Sequence, residues 1–137
     1  MRSLLLSLTL LAAVVMPATA GEPVSQAFNA AAERVWAVTQ SVLKSRGWDI
    51  DKVDRIVGWL VTDSRSLEGG DYGVYAKGTR HRLRFEIKPT APDSTTVTVE
   101  RTVFKRERIL WMDKDEPVPT TDQSVEKQLL ADIGRAL

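Results

Sequence analysis

Ten consecutive residues, 79–88, alternate without a break. Thr79, His81, Leu83, Phe85 and Ile87 fall on one side, and Arg80, Arg82, Arg84, Glu86 and Lys88 on the other. Successive side chains of a β-strand leave on opposite faces, so this period of two describes a strand with one buried and one wet face. Residues 89–94, which contain Pro92-Asp93, read as a turn. The chain then returns through 95–106 with Val97, Val99 and Val103 on one side and Thr98, Glu100 and Thr102 on the other. Glu100 opposite Arg82 or Arg84 would make a favourable cross-strand pair.

The apolar face of that hairpin has to be covered, and two segments carry matching stripes. Residues 29–46 are predicted to be a helix, with Asn29 as N-cap and Gly47 just past the end. Ala31, Val35, Val38 and Val42 recur at helical spacing, Trp36 and Leu43 widen the stripe, and Lys44 and Arg46 sit where the helix dipole favours cations. A second helix is predicted over 121–137, with Val125, Leu129, Leu130, Ile133 and Leu137 along one side.

Between helix and hairpin, 48–53 and 58–63 alternate as two short strands joined at 54–57. Residues 64–78 hold four glycines with Tyr72 and Tyr75, and read as a long loop of the kind that is functional or mobile. Residues 113–119, Asp-Lys-Asp-Glu-Pro-Val-Pro, read as a connector, because proline cannot donate to a central ladder. The expected architecture is therefore α+β in two layers: helix, four antiparallel strands, helix, both helices on a single sheet face.

The N-terminus bears on location. Arg2, an apolar run over 4–15, Pro17 and the ending Ala18-Thr19-Ala20 have the form of a cleavable export signal. The run is shorter than the roughly 20 residues of a membrane span. The expectation is a signal over 1–20 and one mature domain over 21–137, in the periplasm. There is no cysteine in the 137 residues, which removes disulfides and a lipidated N-terminal cysteine, so a membrane anchor is not expected. Of the 19 basic residues Arg2 lies in the signal, leaving 18 against 18 acidic ones, and no global field favours nucleic acid. The charges are uneven: basic residues lead nine to four over 77–108, and acidic residues lead six to two over 111–132. Such segments either steer a partner or face each other.

The order of elements is familiar. Val35-Trp36 early in the helix, Leu43 followed by Arg46-Gly47-Trp48-Asp49-Ile50, and Asp54 ahead of Gly58-Trp59-Leu60-Val61-Thr62 resemble small helix-grip domains of the cell envelope. Among these, the pattern resembles the BamC-like lipoproteins of the outer-membrane β-barrel assembly machinery, over residues 28–137. The resemblance implies a helix-grip-like fold and an accessory, protein-contacting role without catalysis. It assigns no functional residue, and that family's anchoring cysteine is missing here.

Candidate sites are few. His81, the lone histidine, would serve as a general base or sit at a sheet margin bonded to backbone; no nucleophile motif accompanies it. Asp49, Asp51 and Asp54, and likewise 113–116, lack the glycine and terminal glutamate of a calcium loop, so no metal or other cofactor is expected. Residues 73–79 imitate part of a phosphate loop but lack its lysine and are followed by a strand. Tyr72 and Tyr75 either meet a partner or fold onto the core; Arg80, Arg82 and Arg84, with Lys105, Arg106 and Arg108, form a basic patch for an acidic protein surface or anionic headgroups, or a solvated face. Trp59 alternates with Leu60, so one of the two faces outward unless both sheet faces are covered.

Two functions follow as expectations. The first is an exported, non-catalytic binding domain that contacts another envelope protein through the outer sheet face and the 64–78 segment. The second is a carrier that holds a small hydrophobic molecule or lipid in a groove between helix and sheet. A third, hydrolysis, rests on His81 alone.

Overall fold

The computed structural model describes residues 21–72 and 75–137, with the side chains of 68–77 outside that description. The candidate export signal, residues 1–20, also lies outside the described residues. The frame is a pair of long antiparallel strands, β5 (Tyr75–Ala91, 17 residues) and β6 (Ser94–Ile109, 16 residues). Their register runs from Ala91↔Ser94 to Ala76↔Arg108 and sets Glu100 opposite Arg84.

Each edge of this ribbon is used twice. Along β5, β3 (Trp59–Thr62) pairs with 84–86, and β4 (Arg65–Tyr72) pairs with 75–81. Along β6, β1 (Val24–Phe28) pairs with 95–99, and β7 (Met112–Val118) pairs with 103–109. β2 (Ile50–Asp54) completes the near end by pairing with β3. Among the described residues the sheet thus has seven antiparallel strands instead of the expected four.

The three additional strands have physical reasons. β1 buries only Phe28, so its sequence carries almost no alternation signal. Within the expected loop, residues 65–72 and 75–78 are paired strands of a β4–β5 hairpin, since Gly69 and Gly70 pair through their backbones with Gly78 and Lys77. Most of the 113–119 segment is a strand despite Pro117, because among the described residues β7 has a neighbour on one side only and no donor is needed on the other.

Helices α1 (Ala32–Ser45) and α2 (Ser124–Ala136) pack on each other and on β1, β5 and β6. α1 begins later than expected. Ala31 is its N-cap with no side-chain bond, and the entry is fixed instead by Thr95 Oγ1 donating to the Ala30 carbonyl at 2.8 Å. Its end is as expected: Gly47 has φ +79°, its N–H donates to Lys44 O, and Trp48 N–H donates to Leu43 O. That double bond is a Schellman motif, and it turns the next residue, Trp48, into the core. α2 starts at Ser124, three residues later than the sequence suggested, after Asp122 Oδ1 accepts the Ser124 N–H. Gly58, at φ +101°, passes so close to β5 that a Cβ would stand 2.8 Å from the Ile87 carbonyl oxygen.

Leu43, Leu60, Leu83, Phe85, Val97, Val99 and Ile133 are fully buried between helices and sheet. This core occupies the near half of β5 and β6. Beyond Phe104, no described side chain of β6 or β7 is buried. From Phe104 to Ile109 the sheet extends about 17 Å further at roughly 3.3 Å per residue, as an arm of β4, β5, β6 and β7.

Candidate functional site

Two places hold unusual chemistry, one inside the domain and one at the end of the arm. The inner one begins with Arg101, which occupies an inward position of β6 between Val99 and Val103 and is 4% exposed. Its guanidinium is held on three sides. Nε donates to Glu126 Oε1 at 2.9 Å, Nη2 donates to the Asp122 carbonyl at 3.0 Å, and Nη1 lies 3.3 Å from His81 Nδ1. Glu126, on α2, is 1% exposed. A buried charge is tolerable only when paired and hydrogen-bonded, and here the pair fastens α2 to the sheet.

His81 sits beside that pair, opposite Val103, with its ring 4.7 Å from Trp48. Arg65 Nε donates to its Nε2 at 3.4 Å, while Arg65 lies over the Trp48 ring at 3.8 Å and donates to the Arg46 carbonyl. Both ring nitrogens therefore face arginine side chains, not the backbone expected for a histidine at a sheet margin. Burial, then the positive charges of Arg101, Arg65 and Arg80, lower its pKa to about 4. A proton arriving on this imidazole would sit between guanidinium groups, so the ring is held in its neutral form. An open cleft of about 430 Å³ lies next to this cluster, lined by Arg46, Trp48, Arg65, Ser124, Val125, Gln128 and Leu129.

The outer sheet face is largely occupied by its own side chains. Arg80 donates to Ser64 through Nε to Oγ and through Nη2 to the carbonyl, both at 2.9 Å. Arg82 lies over Phe104 at 5.1 Å, and Arg84 over Trp59 at 5.3 Å with Glu86 3.7 Å away. Leu60 is the inward member of its pair, and Trp59 is half-buried beneath Arg84. The three arginines are thus brought into one row. Tyr72 and Tyr75 face each other in register at the end of the β4–β5 hairpin, and their side chains lie outside the described residues.

Of the acidic runs, Asp54 is a turn-former: its Oδ1 accepts the N–H groups of Ile56 and Val57. Asp51 stands at a register shift between Ile50 and Lys52, which breaks the shared face that Asp49 and Asp51 would need. Among the described residues, no group of three or more histidine, cysteine or acidic side chains is placed to hold a metal.

The arm carries what sequence reasoning overlooked. Four consecutive rungs between β6 and β7 set opposite charges against each other: Lys105↔Glu116, Arg106↔Asp115, Glu107↔Lys114 and Arg108↔Asp113. Two of them are close ion pairs, Arg106–Asp115 at 2.8 Å and Arg108–Asp113 at 2.7 Å. Hydrogen bonding from Arg108 holds the Asp113 carboxyl below the usual range. The basic and acidic segments of the sequence therefore do face each other. Past the last rung, Ile109 pairs with Met112 around the two-residue turn Leu110-Trp111. All four side chains are exposed, Trp111 at 84% and Met112 at 77%. The available signal was the run Ile-Leu-Trp-Met between charges of opposite sign.

No family model matches this chain, and no curated protein matches it. Among solved structures, it has similarity to an uncharacterized protein of Bacillus thuringiensis. The identity is 13% and the TM-score 0.41, covering 84% of this chain and 96% of the other.

Proposed function

We propose that this protein is an exported, non-catalytic binding domain of the cell envelope, helix-grip-like in its near half, that meets its partner with the far half of its sheet. The observation that carries this reading is the arm itself. It contributes no described buried side chain beyond Phe104 and ends in four contiguous exposed apolar residues. Exposed apolar clusters on a soluble surface mark contact sites, whereas scattered ones need no explanation. The outer face and the 64–78 segment remain part of the proposed surface, since β4 belongs to the arm and the arginine row adjoins it.

The carrier reading is less well supported. A carrier needs an enclosed apolar space. The near-half core side chains are buried against one another, and the cleft at Trp48 is open with Arg46 and Arg65 on its wall.

Photo-crosslinking in the native host tests the proposal. A probe at Trp111 is expected to capture a recurring species, and a probe at Ser41, on the exposed side of α1, is not. The same background from both positions would reject the arm as the contact surface.

A further inference from the structure

The end of the arm has a composition that selects among partners. Leu110 and Trp111 form the turn, Ile109 and Met112 the rung below it, and the positions of Tyr72 and Tyr75 end the neighbouring hairpin at the same level, one residue beyond Ala76↔Arg108. Aliphatic residues at the extremity with tryptophan and tyrosine at the same end are the residue types that settle at a membrane–water boundary. We propose that this tip docks reversibly into the interfacial layer of a lipid bilayer. The inference rests on the reading of the arm as the contact surface and names what it contacts.

Three features favour a fluid apolar layer over a protein pocket. The four tip side chains are 58–84% exposed, so a protein would have to supply a concavity that encloses them, whereas a bilayer accepts any exposed apolar end. The depth also fits. Arg108 and Asp113 lie one residue below Ile109 and Met112, so the apolar zone is about 5–7 Å deep at roughly 3.3 Å per residue, within the burial typical of interfacial segments. Finally, the stem is electrically closed. The β6–β7 charges below the tip are arranged in opposite-sign rungs, so this hairpin brings no net charge to a headgroup layer.

The backbone points the same way. Leu110 has φ +58°, and it is the one described non-glycine residue with a positive φ. A positive φ at the first position of a two-residue hairpin turn ordinarily belongs to glycine. A leucine held there keeps an apolar side chain at the extremity at a conformational cost, as functional positions do.

The test is sedimentation of the mature chain with vesicles of phosphatidylcholine alone and of phosphatidylcholine mixed with phosphatidylglycerol. Binding to both is expected, with little sensitivity to salt. Trp111→Ser and Leu110→Gly are each expected to weaken partition about tenfold. Ile56→Ser, which removes a 99% exposed apolar residue from the β2–β3 turn, is expected to leave it unchanged. Binding that requires phosphatidylglycerol, disappears with salt and ignores Trp111→Ser would overturn the proposal in favour of adsorption through the arginine row. Absence of vesicle binding, with one protein captured from Trp111 in cells, would overturn the bilayer assignment and leave the contact surface standing. Absence of both would remove both.

Discussion

The near and far halves of β5 and β6 share one register from Pro89↔Thr95 to Ala76↔Arg108 and solve opposite problems. In the near half the inward positions hold Leu83, Phe85, Val97 and Val99, and two helices remove that face from water. In the far half the alternation continues, but it delivers Lys105 and Glu107 to one face and Arg106 and Arg108 to the other, each opposite a counter-charge on β7. Apolar burial stabilises by about 25 cal/mol per Å². An exposed cross-strand charge pair contributes only about 0.2–1 kcal/mol. The near half therefore holds the fold together, while the far half is carried by it and is free to change its surface. Strand length here follows from available pairing partners and not from what the strand can bury.

The largest test of this division lies in the buried pair. Arg101→Met strands Glu126 inside the near half and is expected to cost about 3–5 kcal/mol in urea unfolding. Adding Glu126→Leu is expected to recover much of that loss, because the stranded charge is gone. A cost below about 1 kcal/mol for the single change would mean that the ion pair is open to water.

His81 supplies the next largest effect. Its pKa is about 4 in the folded protein against 6.5 for an unperturbed imidazole, so the unfolded chain binds the proton more tightly. The resulting stability is complete above about pH 6.5 and is lost as pH falls from there toward 4, by about 2–3 kcal/mol. Urea titrations across that window are expected to show the slope, and His81→Gln to flatten it. An unchanged slope in the variant would assign the titration elsewhere.

Changes in the arm are expected to be small. Leu110→Gly relieves about 1–2 kcal/mol of left-handed backbone cost and returns about 0.5–1 kcal/mol in entropy, for a net gain of up to about 1.5 kcal/mol. Lys114→Glu puts like charges opposite each other at the Glu107 rung, with an expected loss under about 1 kcal/mol that shrinks in high salt. A large loss from Lys114→Glu in thermal melts would show that the far half supports the near one.

Much of the near half was legible because its signals are local. Gly47 after Lys44 and Arg46 announces the helix end, and the 79–88 alternation announces the central strand. The far half was obscured by rules applied without knowledge of the edge. Pro117 and the glycines of 64–78 argue against central strands, and β4 and β7 are edge strands. The charge asymmetry was visible, but the register that turns it into rungs was not, since pairing between 105–108 and 113–116 depends on the turn at Leu110-Trp111. Arg101 was overlooked although it falls in the inward register with Val97, Val99 and Val103, because its partner Glu126 lies 25 residues away on another element.

Native-state hydrogen exchange along β6 tests the division most directly. Amides at 95–104 are expected to exchange only through global unfolding, and those at 105–109 through local opening at much lower free energy. Equal protection along the whole strand would contradict the account, because the arm would then be part of the cooperative core.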